Sequence, residues 1–179
     1  MADHKQIVPF FYKWEGGTSN DPSDSASSYD CGVDNIHTNK GVTYSAWVGV
    51  FGENQVERFL DMTDCDWGLI FKSKYWDRVK GDDIKSQAIA NVLVSWAWGS
   101  GARTAVKQIQ RVVGVTRDGV IGRQTLNAIN SDDEVQLFDE CIKARESFFR
   151  YIAERNPKNK RFLKGWLNRL ADFNQKYRP

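Results

Sequence analysis

Apolar positions recur at helical spacing along most of the 179-residue chain. In the opening segment, 4–15, the side chains of Ile7, Phe11 and Trp14 fall on one face of a helix, with Asp3 as its N-cap. Later helices are predicted over 44–51, 53–60, 64–75, 84–98, 102–113, 123–129, from the capping sequence at 131–134 to about 154, and over 160–175. The pattern predicts a mainly α fold with little or no sheet.

One long segment, 18–42, interrupts this pattern. It is rich in Ser, Asp, Asn and Gly and has no apolar periodicity, and Gly16-Gly17 ahead of it is typical of a helix end. Loops of about twenty-five residues inside compact domains are uncommon and tend to be functional. We therefore predict a long active-site loop here.

Glu15 stands where the first predicted helix meets this loop, directly after Trp14. Acid/base cleavage of a glycosidic bond needs one carboxyl that stays protonated and a second that stays ionised or positions water. The loop offers Asp24 as a second carboxyl, nine residues beyond Glu15. The arrangement indicates a small wall-cutting enzyme, with an ordinary exposed glutamate at a helix end as the alternative.

Other polar residues in and next to the loop have either a catalytic or sugar-binding role or a purely structural one. Asp21 precedes Pro22 and is either a sugar contact, together with Asn20, or a turn residue. Thr43 either holds a water near the anomeric carbon or caps the next helix, and the two roles can coexist. The oxygen-bearing side chains of the loop lack the spacing of a calcium loop, so we expect neither a metal nor a cofactor; they are Asn20, Asp21, Asp24, Asp30 and Asp34.

The chain contains seven tryptophans, and 13% of its residues are aromatic. Aromatic rings bind the flat faces of sugars, but they also fill cores. Tyr44, Trp47 and Trp98 are candidates for sugar subsites, with core packing as the alternative for each. His4 and His37 have no Ser or Cys nucleophile in recognisable context, so both are predicted at the surface.

Charge and cysteine content restrict the partners and the compartment. Residues 1–80 carry 8 Lys and Arg against 12 Asp and Glu, whereas residues 81–179 carry 17 against 11. The basic second half favours a polyanionic partner such as cell wall or nucleic acid, although a solvated surface explains it equally well. Three widely spaced cysteines and a polar start without an apolar core predict synthesis in the cytosol and action on the wall after release.

Several motifs, taken in order, resemble the N-acetylmuramidase family called glycoside hydrolase family 108, which includes phage endolysins and secretion activator proteins. The first half matches at Lys13-Trp14-Glu15-Gly16-Gly17, at Asn20-Asp21-Pro22 with Asp24, and at Thr38-Asn39-Lys40-Gly41-Val42-Thr43. The family's usual middle Gly-Gly is replaced here by an insert from Ser25 to His37.

The second half is similar to the predicted peptidoglycan-binding region that follows in the same family. The matching pieces are Lys107-Gln108-Ile109-Gln110-Arg111, Asp118-Gly119-Val120-Ile121-Gly122 with Thr125, Arg145, and Gly165-Trp166-Leu167-Asn168-Arg169. The resemblance thus implies a catalytic lysozyme-like region over 1–100 and a peptidoglycan-binding helical region over 101–179.

The resemblance implies a lysozyme-like helical fold and hydrolysis of the β-1,4 bond between N-acetylmuramic acid and N-acetylglucosamine, with Glu15 as the catalytic acid. A weaker analogy to phage-type lysozymes makes Asp24 and Thr43 the second and third members of the site. The implied partners are peptidoglycan glycan strands and a holin or export system, without nucleic acid or membrane insertion, for a monomer. A lytic transglycosylase and a non-catalytic wall-binding module remain as alternatives.

Overall fold

The computed structural model describes residues 1–179, apart from the side chain of Ser25. The chain divides into two compact units. The N-terminal unit comprises Val8–Lys74, and the helical unit comprises Met1–Ile7 with Tyr75–Pro179. The mainly α prediction is confirmed, since helices account for most of both units and the strands are short.

The N-terminal unit combines short helices with a small sheet. Its helices are α1 Val8–Trp14, α2 Tyr44–Phe51, α3 Val56–Leu60 and α4 Asp64–Ile70. A π-helical segment, Phe71–Trp76, begins in this unit and ends in the helical unit. Its strands are β1 Thr18–Ser19, β2 Thr38–Asn39 and β3 Val42–Thr43, which pair antiparallel in the order β1-β2-β3. The segment predicted as an aperiodic loop therefore contains the sheet.

The first predicted helix is divided in two. Asp3 is an N-cap as predicted, but it accepts a hydrogen bond from the Lys5 amide at 2.9 Å to start only a short 3₁₀ turn. The α-helix begins at Val8, which puts Pro9 in its first turn. Proline fits there because the first amides of a helix have no carbonyl partner, whereas deeper in the helix it would break a hydrogen bond.

The later helices of this unit follow their sequence signals closely. Thr43 caps α2 by accepting from the Ala46 amide at 3.2 Å, which realises the capping role predicted for it. Thr63 and Asp66 form a reciprocal capping box at the start of α4. Aromatic rings fill the interior, where Trp67 and Phe71 stack at 5.0 Å between centroids.

The helical unit contains α5 Gln87–Ser100, α6 Ala102–Val112, α7 Arg123–Ser131, α8 Glu134–Arg155 and α9 Lys160–Tyr177. Helix α5 packs against both α6 and α8, and α8 packs against α9. Helix α5 begins at Gln87 rather than at 84 because the Ser86 hydroxyl caps it. Helix α8 is capped by Asp133, not by Ser131, which instead ends α7.

Within the part of the chain that the structure describes, no helix has both the length and the apolar character that crossing a bilayer requires.

Candidate active site

Glu15 is held directly at the end of α1. Its amide donates to the Phe11 carbonyl at 2.8 Å, so its backbone continues the helical ladder by one residue. The residue is half-buried, and its Oε1 atom is shut off from solvent. The structure therefore fixes the base of this side chain on a helix and shields part of its carboxyl group.

The carboxyl group of Glu15 lies against the backbone of Gly41. A Cβ atom built on Gly41 would fall 2.7 Å from the Glu15 Cδ atom and 2.9 Å from its Cγ atom, closer than side chains approach. Gly41 also has φ +75°, a conformation that other residues rarely adopt. Glycine is thus required here both by the turn and by the carboxyl group packed on it.

The turn that carries Gly41 is a two-residue β-hairpin between β2 and β3. Lys40 has φ +47° and Gly41 has φ +75°, the pair of left-handed residues of a type I′ turn, whose twist matches that of the flanking strands. Pairing of Thr38 with Ser19 on one side and with Thr43 on the other joins the hairpin to β1. The sheet thereby brings the chain just after Glu15 next to Gly41.

Hydrogen bonds from side chains fix this hairpin to the junction of α3 and α4. The buried Asn39 amide donates to the carbonyls of Phe59 at 2.7 Å and Leu60 at 3.0 Å. Lys40 Nζ donates to the Met62 carbonyl at 2.7 Å, and Trp67 Nε1 donates to the Lys40 carbonyl at 3.1 Å. The backbone surface that Glu15 contacts is therefore held in place from several directions.

An ion pair stabilises the same junction. Arg58 Nη2 lies 2.5 Å from Asp66 Oδ1, and the Thr63 hydroxyl donates to Asp66 Oδ2 at 2.8 Å. Burial opposes ionisation of Asp66, but the hydrogen bonds from Arg58 and Thr63 outweigh it and lower the pKa of this carboxyl below its ordinary value. Asp66 thus has a structural role: it stabilises the junction of α3 and α4, to which the hairpin is bonded.

The insert from Ser25 to His37 closes on itself before the sheet begins. Cys31 donates its amide to the Ile36 carbonyl at 2.9 Å, and Ile36 donates to Val33 at 2.9 Å. The His37 amide then donates to the Ser19 carbonyl at 3.0 Å, which starts the pairing with β1. The insert therefore leaves the contact between Glu15 and Gly41 intact.

His37 is fully buried, so its predicted surface position is wrong. One ring nitrogen, Nδ1, lies 2.9 Å from the Thr38 hydroxyl, and Nε2 lies 3.1 Å from the Asp21 carbonyl. These contacts tie the start of β2 to the first part of the loop. No local pattern could have indicated this, because one partner lies sixteen residues away.

The predicted polar residues of the loop organise turns. Asp21 Oδ1 accepts from the amide and hydroxyl of Ser23 at 2.9 and 2.6 Å, which is the turn role considered for it. Asp24 is exposed, and its Oδ1 accepts from the Ala26 amide at 2.9 Å. Asn20 is exposed and donates to the Asp34 carbonyl at 3.3 Å. Their roles toward a sugar stay predictions.

The aromatic candidates for sugar contact differ in how deeply they are buried. Trp47 is fully buried against Phe51 and Phe59, and Tyr44, which is 6% exposed, stacks on Tyr29 at 5.5 Å. Both rings therefore take part in core packing, the alternative considered for each, and their roles as sugar contacts stay predictions. Trp98 is half-buried on α5 and packs against Tyr75 at 4.6 Å.

Gly41 is the residue of this site whose role sequence reasoning missed. The signal was present, because Lys40-Gly41 between Asn39 and Val42 is the kind of dipeptide that favours a two-residue hairpin. The hairpin is hard to recognise from sequence because each strand is only two residues long, too short to show an alternating apolar and polar pattern.

The helical fold and the carboxyl group held at the end of α1 place this chain among the lysozyme-like glycoside hydrolases. The family model described as Glycosyl hydrolase 108 matches residues 8–101, and the model described as Predicted Peptidoglycan domain matches residues 104–171. The chain therefore belongs to glycosyl hydrolase family 108, and it is a glycoside hydrolase that acts on peptidoglycan.

A solved structure supports this assignment over nearly the whole chain. The structure of SagA from Brucella abortus superimposes with a TM-score of 0.80 at 26% sequence identity, covering 97% of this chain and 92% of that one. A search among curated proteins finds no match. The two family models meet near residue 102, whereas the compact units divide after Lys74, because α5 packs with α6 and α8. The functional division expected at residue 100 stays a prediction.

Proposed function

We propose that this protein is an N-acetylmuramidase that cleaves the β-1,4 bond between N-acetylmuramic acid and N-acetylglucosamine, with Glu15 as the general acid. Glu15 protonates the glycosidic oxygen as the bond to the anomeric carbon breaks. The observation that carries the proposal is the packing of the Glu15 carboxyl group against Gly41 inside the segment that matches the hydrolase family.

This packing supports a general acid because proton transfer depends on orientation. A displacement of about 1 Å in a reacting group costs on the order of 100-fold in rate. The helix end holds the backbone of Glu15, and the hairpin turn limits the positions of its carboxyl group. This restraint is what orientation-dependent proton transfer requires, and it therefore supports the proposed role.

Thr43 and Asp24 are the proposed partners of Glu15. The Thr43 hydroxyl accepts from the Ala46 amide, which leaves its own proton free to be donated to a water. Asp24 uses one carboxylate oxygen on the Ala26 amide, and an ionised carboxylate retains further acceptor sites. Either group can hold the attacking water or offset the positive charge that develops on the sugar ring.

The test is Glu15→Gln, assayed by release of reducing ends from purified sacculi. We expect the variant to fold normally and to lose at least about 100-fold in rate, the lower end of what general acid catalysis contributes. Glu57→Gln is the matched control, because Glu57 is exposed on α3 of the same unit, and it should keep wild-type activity. Retention of wild-type activity by Glu15→Gln would remove the proposed role.

Mass spectrometry of the wild-type products decides the reaction type. A muramidase that uses water yields reducing N-acetylmuramic acid ends, whereas a lytic transglycosylase yields anhydro ends. We expect reducing ends. Anhydro products would contradict the hydrolytic role proposed for Thr43 and Asp24 while leaving Glu15 as an acid.

A further inference from the structure

The helical unit contains a cavity of about 120 Å³ among α5, α8 and α9, which we call the arginine cavity. Two guanidinium side chains line it, Arg145 from α8 and Arg169 from α9. Aromatic rings of Phe149 and Trp166 form part of its wall. Among the described residues that line it, none is acidic.

Arg145 is held rigidly and is 5% exposed. Its Nη1 donates to the Ser95 hydroxyl at 3.0 Å and its Nη2 to the Ser95 carbonyl at 2.9 Å. Its Nε atom is buried and has no hydrogen-bond partner among the described residues. A buried donor without a partner costs about 1–3 kcal/mol, more for a charged group, so a ligand that accepts this hydrogen bond is favoured.

The electrostatics of Arg145 also favour an anion in the cavity. Burial, and secondly repulsion from Arg169, lowers the pKa of Arg145 to about 9, so the Arg145 guanidinium group remains charged at neutral pH. Like charges in a small buried space repel each other strongly because the local dielectric is low. An anion between them reverses that repulsion, and guanidinium groups bind carboxylates in matched, bidentate geometry.

Size and wall chemistry restrict the anion further. A cavity of about 120 Å³ is several times the roughly 10–15 Å³ that one water needs, so it has room for a small group such as a carboxylate with the carbon next to it. Trp166 packs against Phe149 at 5.4 Å and Phe162 at 6.0 Å, which gives the cavity an apolar side. A carboxylate next to a methyl-bearing carbon meets both conditions. In peptidoglycan, a terminal D-alanine of the stem peptide has this chemistry.

We propose that the arginine cavity binds the terminal D-alanyl carboxylate of a peptidoglycan stem peptide, with Arg145 and Arg169 as the carboxylate ligands and Trp166 beside the methyl group. This inference rests on the assignment of the chain to peptidoglycan and assigns a subsite within it. Binding there would hold the wall on the helical unit independently of bond cleavage.

The decisive experiment titrates the wild-type protein with the synthetic peptide L-Ala-γ-D-Glu-L-Lys-D-Ala and with the same peptide ending in a C-terminal amide. Neither peptide has a glycosidic bond, so binding is separate from hydrolysis. Calorimetry should show binding of the acid and at least about tenfold weaker binding of the amide, the minimum expected from losing a charged hydrogen bond. Equal binding of the two peptides, or no binding of the acid up to about 10 mM, would overturn the proposal.

An acetate arm separates a stem-peptide site from a general carboxylate site. Acetate should compete with the acid peptide only at concentrations well above those of the peptide, because it lacks the peptide's other contacts. Competition at equal concentration would show that the cavity takes any small carboxylate, which contradicts the assignment to the stem peptide.

Arg169→Gln adds a second, independent readout. It should abolish the preference for acid over amide, whereas Lys164→Gln, an exposed cation on the same helix, should keep it. The wild type should also release reducing ends from peptide-free glycan chains, which measures cleavage without the stem peptide. Loss of that release in the wild type would instead indicate failure of the proposed function, so the two failures are distinguishable. If Arg169→Gln does not fold, the comparison of acid with amide on the wild type still decides.

Discussion

Side chains fix turns in both compact units, but the two units differ in how much of their structure depends on such bonds. In the N-terminal unit, side chains such as Asn39 and Lys40 bond to backbone carbonyls of neighbouring turns, and these bonds fix the hairpin beneath Glu15. In the helical unit, long helices pack through apolar faces, and buried polar residues such as Gln110 and Arg145 each make several hydrogen bonds. Short, irregular segments can thus be made rigid enough to orient a catalytic group when side chains cap their backbone.

The strongest test of this comparison is Gly41→Ala in the N-terminal unit. The added methyl group would meet the Glu15 carboxyl group, so the carboxyl must move. We expect a loss of about 100-fold or more in reducing-end release, the effect of misplacing a reacting group. The backbone strain of a non-glycine residue at positive φ adds roughly 1–2 kcal/mol of destabilisation.

Gly32→Ala is the matched control, because Gly32 has φ +78° but nothing lies within 4 Å of its added Cβ atom. It should show the same loss in stability by urea unfolding with little change in activity. If both variants lose activity to the same extent, backbone strain alone explains the effect and the contact with Glu15 has no role.

The second prediction concerns Gln110, a buried polar residue of the helical unit whose side chain makes four hydrogen bonds. Its Nε2 donates to Asp118, Val120 and Thr125, and its Oε1 accepts from the Gly119 amide at 2.9 Å. This one side chain therefore fixes the turn that follows α6.

Gln110→Met should lower the free energy of unfolding by about 3 kcal/mol, because buried groups on several partners lose their hydrogen bonds together. Gln108→Met, a half-buried neighbour on the same helix, should change it by less than about 0.5 kcal/mol. Equal effects in urea titrations would mean that general packing of α6, not this network, holds the turn.

Sequence predicted the helical unit better than the N-terminal unit, for a physical reason. Local periodicity and caps such as Ser86 are enough to predict helices α5, α6 and α8. The sheet depends on hydrogen bonds between distant residues, such as His37 to Ser19, and its strands are too short to show alternation. Glu15 was identified from its setting and its family motif, but its contact with Gly41 is long-range and could not be inferred.

The third prediction tests whether the hairpin depends on its side-chain anchors. Asn39→Ala removes the donor to the carbonyls of Phe59 and Leu60, both at the end of α3. We expect a loss of about 2 kcal/mol in the free energy of unfolding, since buried acceptors are left unpaired. Activity should fall as well, because the hairpin supports Glu15.

Asn127→Ala supplies the contrast, since Asn127 is exposed on α7 in the helical unit. Alanine favours helix more than asparagine, so this variant should be neutral or slightly stabilising. A neutral result for Asn39→Ala as well would mean that backbone pairing alone holds the hairpin, and the contrast between the units would lose its basis.

The smallest expected effect is on the pH dependence of stability, and it comes from the ion pair between Arg58 and Asp66. Hydrogen bonds from Arg58 and Thr63 lower the pKa of Asp66 below its ordinary value of 3.8. A carboxyl group whose folded pKa is depressed stabilises the fold at pH values above 3.8, and this contribution is lost as the pH falls through the folded pKa. Asp66 should therefore add to acid sensitivity below about pH 4 and leave stability unchanged between about pH 6 and 8.

Asp66→Asn should consequently show a shallower decline of melting temperature between about pH 5 and 2 than the wild type. Asp61→Asn, an exposed carboxyl group at the end of α3, should keep the wild-type slope. Part of the Asp66 effect is screened by solvent because the Arg58 side chain is 48% exposed, so the difference should also shrink in high salt. A wild-type slope for Asp66→Asn at low salt would show that the pair contributes no net stability to the junction, leaving Asn39 and Lys40 as the groups that hold the hairpin.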